Sequence, residues 1–284
     1  MSTRRIDSLG EISADYDAVL CDVWGVLHNG MRAWTPAWRS LDALRKEGKA
    51  VVLITNAPRP KGPVTEQLTA LGVPDIAYDD IVTSGDVTRA LIRENARRIF
   101  HIGPDRDMSL YDGLDVELCE EREASTVVCT GFCDDDNETP DDYAEMLQRL
   151  RARDLPMICA NPDIVVERGE ELVYCAGALA RDFGLLGGRT LIAGKPHRPI
   201  YEEALRRVAN VLGREPDPAR VLAIGDGMLT DVKGAMDNGF PLVFISDGIH
   251  AREYGEPGKP DAERLDAYLK EAGAAPVATM LKLR

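Results

Sequence analysis

Four short stretches of this sequence set carboxylates, a hydroxyl, an amide and an ammonium close to apolar runs. Asp22 lies in CDVWGVLHNG, Thr55 and Asn56 in VVLITNAPRP, Lys195 in LIAGKPHRP, and Asp226 with Asp231 in GDGMLTD. Each alone has a bland explanation, because an Asp after a strand commonly caps a helix and a Lys before Pro commonly sits on the surface. Together they suit phosphoryl transfer through a covalent aspartyl-phosphate. A carboxylate attacks phosphorus only when the repulsion between two anions is neutralised. Mg²⁺ does this with oxygen ligands, one or two protein carboxylates plus waters and phosphate. Asp22 and Asp226 can supply those carboxylates, and Lys195 a fixed positive charge. Thr55 and Asn56 can donate hydrogen bonds to phosphoryl oxygens, as can backbone amides in the loop after Asp22.

These groups must be brought together by the elements around them. Residues 17–21 and 50–54 read as buried strands, with a helix over 36–47 that places Trp38, Leu41 and Leu44 on one face. A helix over 64–71, a strand over 81–83 and a helix over 87–95 follow. Near the other end come a helix over 198–212, a strand over 221–224, a helix over 232–238 and a strand over 242–245. This repeated alternation predicts an α/β fold, a Rossmann-like, doubly wound parallel sheet. Three of the four stretches follow its strands, where ligands of such sheets bind.

The middle of the chain differs in texture. Strands are expected at 98–102, 126–130, 156–159 and 171–174, with fewer crossover helices between them. We read residues 89–188 as a second α/β domain inserted into a discontinuous core of residues 1–88 and 189–284. The crossovers are expected near 86–89 and 188–194. The acidic run DDDNETPDD at 134–142 matches a calcium loop at several positions, but Thr139 stands where the sharp turn needs Gly. Thr139 as a helix cap followed by Pro140 at the first helical position explains the same letters. Neither a dinucleotide fingerprint nor a P-loop fits: Thr230 takes the third glycine position after Gly225-Asp226-Gly227, and no GxxxxGK[ST] occurs.

Composition bounds the partners. The 284 residues are 44% hydrophobic and 29% charged, enough apolar surface for a sizeable core, which disfavours a disordered chain. With 34 Lys and Arg against 48 Asp and Glu, the net charge is −14. Such a surface repels nucleic acid and anionic lipid, and an anionic small substrate would need a local cationic pocket or a metal. Of six cysteines, Cys21, Cys129, Cys159 and Cys175 end apolar runs and no CxxC pair occurs, which predicts reduced buried thiols. The opening residues MSTRRIDSLGEISADYD lack an apolar stretch, and no run reaches membrane-spanning length. The expectation is a cytoplasmic protein with neither a signal peptide nor a membrane span.

The order Asp22, Thr55-Asn56, Gly194-Lys195-Pro196, Gly225-Asp226 and Asp231 resembles motifs I to IV of the haloacid dehalogenase-like (HAD) superfamily. An insert between the second and third motifs resembles the C2-capped class IIA branch, which includes NagD-like and nitrophenylphosphatase-like enzymes acting on small phosphorylated metabolites such as sugar phosphates and nucleotides. Thr83-Ser84-Gly85-Asp86 and Asn161-Pro162-Asp163 add to the resemblance, which runs from about Tyr16 to Gly248. It implies Asp22 as nucleophile and metal ligand, with the backbone carbonyl of Trp24 also on the metal. It implies Asp226 as the second metal carboxylate and Asp231 acting on the metal's water shell. Thr55 and Lys195 would hold the phosphoryl group and Asn56 would face substrate; Asn161-Pro162-Asp163 would be a simple turn or would face the active site with Asn161 on substrate, and Gly177–Ala180 with Arg181 would form a helix of the insert, substrate-facing or structural. A homo-oligomer formed through the insert is also implied.

One position departs from the pattern. Motif I of the resembling phosphatases reads Asp-x-Asp, and the second Asp protonates the leaving group and then activates water. Here that position is Trp24, whose indole does no acid-base work. His28, His197 or a residue of the insert would have to replace it. Two function classes therefore stand open: a magnesium-dependent phosphatase or phosphotransferase, and a catalytically impaired binding or regulatory protein that keeps the phosphate pocket.

Overall fold

A computed structural model describes residues 3–169 and 171–284 and divides the chain into two compact units. The first comprises residues up to Thr55, Thr65–Val82 and Tyr201–Arg284. Its six-stranded sheet runs in the order Ala278–Met280, Leu242–Ile245, Val221–Gly225, Ala18–Asp22, Ala50–Thr55 and Asp80–Thr83. The pairings from Ala50–Thr55 across to Ala278–Met280 are parallel. AVLCD and AVVLIT are buried at every residue, as continuous apolar strands covered on both faces must be. The chain steps outward from Ala18–Asp22 through Ala50–Thr55 to Asp80–Thr83. It later restarts at Val221–Gly225 and steps outward the other way. The direction of winding thus reverses between Ala18–Asp22 and Val221–Gly225, the switch point where such sheets open a crevice.

The helix Thr35–Lys46 buries Ala37, Leu41 and Leu44, one stripe at helical spacing with Pro36 in its first turn. Trp38, expected on that stripe, is only half-buried and lies under the Arg39 guanidinium, 5.4 Å from the ring centroid. Beyond the expected elements come the helix Ala262–Glu271 and the edge strand Ala278–Met280.

The second unit comprises Asn56–Val64 and Thr83–Ile200. Its sheet is parallel throughout, in the order Thr190–Ile192, Met157–Cys159, Thr126–Cys129, Arg98–Ile102 and Glu117–Leu118. Phe132, Leu147, Leu150, Leu179 and Phe183 build one buried cluster of this unit, and Ile92, Ile99, Leu110, Val128 and Ile158 another. The boundaries read from sequence move outward. Position 88/89 falls inside the unbroken helix Ser84–Asn95, and Thr190–Ile192, just past 188, hydrogen-bonds to Met157–Cys159. Glu171–Tyr174 is not part of this sheet. It pairs antiparallel with Val165–Arg168 in a separate hairpin. In the acidic run, Thr139 and Asp142 form a reciprocal capping box and Pro140 opens the short turn Pro140–Tyr143. All six cysteines are free, and Cys21, Cys129, Cys159 and Cys175 are buried. Among the described residues no helix is long and apolar enough to cross a membrane.

Candidate active site

Asp22 is the last residue of the central strand rather than the first one after it. It pairs in register with Ile54, so Thr55 stands one step further along the neighbouring strand. On the other side Cys21 pairs with Ile224, which brings Asp226 two residues beyond that pair. The parallel ladder therefore delivers Asp22, Thr55 and Asp226 to one end of the sheet, flanking the switch point. All are 5% exposed, and Asp231 is 6% exposed. One carboxylate oxygen from each of Asp22, Asp226 and Asp231 lies within 4.8 Å of the other two.

Backbone without side chains makes room for this cluster. Gly25 has φ +82°, and a Cβ there would run into the Asp226 carboxylate; a Cβ on Gly248 would strike the same group, and one on Gly225 would strike Asp231. Asp226 Oδ2 accepts a hydrogen bond from the Ile249 N–H at 2.9 Å, and Asp231 Oδ2 accepts one from the Gly227 N–H at 3.0 Å. Asp231 sits in a π-helical turn, Met228–Val232, which continues as the helix Lys233–Asn238. Such turns recur at functional sites. Three buried carboxylates this close repel one another strongly unless a cation shares them. Their all-oxygen donor set fits a hard divalent ion such as Mg²⁺.

In the loop after Asp22, Trp24 is half-buried and meets His28 edge-on, with ring centroids 5.1 Å apart. His28 is 2% exposed, and its Nδ1 accepts a hydrogen bond from the Gly30 N–H at 3.0 Å. Burial pushes its pKa down to about 4, so at neutral pH the ring is uncharged with its proton on Nε2. It braces the loop and is no imidazolium acid. His197 is exposed, and its backbone N–H donates to the Gly194 carbonyl at 2.9 Å.

Lys195 and Asn56 belong to the second unit. Lys195 is 3% exposed in the turn after the edge strand Thr190–Ile192, so its ammonium is carried at the carboxyl end of that unit's sheet. Both ends of the buried Asn56 amide are engaged within the protein. Its Oδ1 accepts from the Lys195 N–H at 2.7 Å, while its Nδ2 donates to Asp163 Oδ1 at 2.9 Å and to the Lys195 carbonyl at 3.4 Å. Asn161 Oδ1 accepts from the Asp163 N–H at 3.1 Å, an Asx turn. Asn56, expected to face substrate, thus ties the turns around Lys195 and Asp163 together, while Asn161 forms the turn that leads to Asp163. Gly177 to Ala180 are buried in the helix Ala176–Leu185, while Arg181 is exposed and pairs with Asp182 at 2.8 Å.

Sequence reasoning missed Ile249 and His250. His250 Nε2 accepts a hydrogen bond from the Met228 N–H at 3.1 Å. The available signal was Gly248-Ile249-His250 close after the strand Leu242–Ile245, on the same side of the sheet as the other motifs.

Residues 19–117 match the family described as haloacid dehalogenase-like hydrolase, and residues 192–272 match the one described as HAD-hydrolase-like. The crystal structure of a hydrolase of the haloacid dehalogenase-like family from Brucella suis 1330 is 55% identical and covers 98% of this chain and 100% of that one, with a TM-score of 0.89. The D-glycerol 3-phosphate phosphatase of Mycobacterium tuberculosis is 25% identical over 262 residues, 87% of this chain and 68% of that protein. A crystal structure of the glycerol phosphate phosphatase from that organism in complex with magnesium has a TM-score of 0.63 at 22% identity, covering 88% and 71%. NagD from E. coli K-12 shares the fold at 20% identity over 94% of this chain and 96% of that one, with a TM-score of 0.65. The chain belongs to the haloacid dehalogenase-like hydrolase family.

Proposed function

We propose that the protein is a magnesium-dependent phosphohydrolase acting on a small phosphorylated metabolite through an aspartyl-phosphate. The observation that carries this is the convergence of three buried carboxylates, Asp22, Asp226 and Asp231, within 4.8 Å of one another at the sheet's switch point. Asp22 and Asp226, with the Trp24 carbonyl, would hold Mg²⁺, and Asp231 would order its waters. Bound there, the ion offsets the repulsion between the carboxylates and an approaching phosphate. The Asp22 carboxylate forms a bond to phosphorus as the bond from phosphorus to the leaving oxygen breaks. Water then attacks the phosphorus, frees Asp22 and releases inorganic phosphate. Thr55 would donate to a phosphoryl oxygen, and Lys195 would balance its charge. The second unit would act as the C2-type cap that chooses the substrate. Its position in the chain and its parallel α/β sheet support that reading.

A second reading rests on one residue. Trp24 offers no proton to the leaving group, and the neutral, buried His28 does not take over that role. A protein that binds phosphorylated metabolites and turns them over weakly or not at all would keep this same site. Beryllofluoride trapping separates the two. Stoichiometric, magnesium-dependent uptake that is lost in Asp22→Asn is expected of a competent nucleophile. No uptake, with phosphate esters still bound, would transfer the assignment to the binding protein.

A further inference from the structure

We infer that His250 is a positioning residue for the metal-binding carboxylates, acting as a hydrogen-bond acceptor that holds the Asp226–Asp231 turn. This rests on the functional reading above and names how that site is held. The turn begins at Gly227, which has no side chain to cap it. Helix starts leave backbone N–H groups without partners, and side-chain acceptors normally meet them. Here the acceptors come from elsewhere: Asp231 Oδ2 takes the Gly227 N–H at 3.0 Å, and His250 Nε2 takes the Met228 N–H at 3.1 Å. The neighbouring Ile249 N–H donates to Asp226 Oδ2 at 2.9 Å. Residues 249 and 250 therefore grip the turn at two places, the Asp226 carboxylate and the first backbone donor beyond Gly227.

His250 is itself fixed. Its ring lies 5.7 Å from that of Tyr268, which packs 5.3 Å from the fully buried Tyr254. The Tyr254 hydroxyl donates to the Ser246 carbonyl at 2.8 Å, on the segment that leads to Gly248 and Ile249. Because Nε2 accepts, the ring's proton sits on Nδ1. The turn is thus anchored through the imidazole to an aromatic cluster of the core. Displacing Met228 would carry Asp231, three residues on, away from Asp22 and Asp226.

Two substitutions separate the acceptor from the packing. His250→Phe keeps a ring against Tyr268 and removes the acceptor. His250→Gln restores an acceptor oxygen near the Nε2 position and removes the ring. Magnesium affinity by calorimetry and thermal stability are measured for both variants and for the parent. The expectation is a loss of about 10–100-fold in magnesium affinity for His250→Phe, the usual scale for outer partners of metal ligands, with His250→Gln close to the parent. In turnover, the His250→Phe loss should be recovered at high magnesium, leaving the substrate KM largely unchanged. Equal affinity in parent and His250→Phe overturns the positioning role while leaving the phosphohydrolase reading intact. Equal losses in both variants that follow their melting temperatures also overturn it, in favour of packing alone. A parent that takes up no magnesium overturns the functional reading and this inference with it.

Discussion

The Asn56 side-chain oxygen accepts a hydrogen bond from the Lys195 backbone N–H at 2.7 Å, across 139 residues of sequence. The same amide donates to Asp163. The contact locks the turn carrying a buried lysine to the first residue after the strand Ala50–Thr55. Asn56→Ala would take this acceptor from the buried Lys195 N–H and this donor from the part-buried Asp163 carboxylate. The expected cost is roughly 1–3 kcal/mol, the scale for an orphaned buried polar group. Urea unfolding measures it, and an unchanged midpoint would remove the argument. Asn56→Asp keeps the acceptor but sets a second carboxylate against Asp163, so it should be at least as destabilising at neutral pH.

Two glycines with the same φ of +82° give a matched comparison. A Cβ on Gly25 meets the Asp226 carboxylate, whereas a Cβ on Gly48 meets nothing within 4 Å. Alanine at either position carries the left-handed strain of about 1–2 kcal/mol. Only Gly25→Ala should also weaken magnesium binding and turnover, because it displaces the Asp226 carboxylate proposed to hold the metal. Thermal melts beside magnesium titrations of both variants test this. Equal magnesium affinity in the two would contradict the crowding at Asp226.

The carboxylates should divide by role. On the proposed mechanism, Asp22→Asn removes the nucleophile and one metal charge at nearly constant size, so turnover and beryllofluoride uptake should both vanish. Asp231→Asn keeps the nucleophile, and its main effect should be weaker magnesium affinity, partly recovered at high magnesium. Undiminished turnover in Asp22→Asn, or full activity in excess chelator, would remove the aspartyl-phosphate mechanism.

Acid sensitivity has an identifiable source in the second unit. Burial holds His101 at a pKa of about 4, with its Nε2 3.0 Å from Thr130 Oγ1. The unfolded chain takes up this proton near pH 6.5 and the folded one only near 4, so between those values the unfolded state binds more protons. Stability from this residue is therefore present above pH 6.5 and falls as pH drops to 4, by about 1.4 kcal/mol per unit. His101→Gln should flatten the slope by that amount within that window, in unfolding curves measured from pH 7 to 4. An unchanged slope would show that another group carries the proton.

The motif positions were legible because each lies at the end of an apolar run, and a parallel sheet gathers such ends on one side. Asp22, Thr55 and Asp226 needed only their strands to be found. Lys195 was found by its motif, but its setting was not, since Thr190–Ile192 is a three-residue strand whose partner, Met157–Cys159, lies more than thirty residues away. The boundary near Thr88 was illegible for a related reason: the helix Ser84–Asn95 runs through it without a break. Ala278–Met280 joins its sheet through pairing with Leu242–Ile245, and three residues are too few to show a period. His250 acts through one hydrogen bond to a backbone N–H, which leaves no pattern in the letters.

On the proposed mechanism, Trp24 decides what the site turns over. With no carboxylate there and His28 neutral, the leaving group receives no proton from either residue. Loss of a general acid typically costs ~10²–10⁴ in rate, and the loss is smallest when the leaving group needs no proton. Aryl and acyl phosphates should therefore be hydrolysed far faster than alkyl phosphates. Trp24→Asp should narrow that gap by supplying the acid. The substitution also leaves a void beside His28, since the two rings meet at 5.1 Å. Trp24→Ala makes a similar void without the carboxylate and so isolates the chemistry. Initial rates on a paired aryl and alkyl series for the parent and both variants give the answer. A gain confined to Trp24→Asp on the alkyl esters shows that the missing proton limited turnover. Equal gains in both variants would assign Trp24 a steric role, because then space rather than acidity would have held the alkyl esters back.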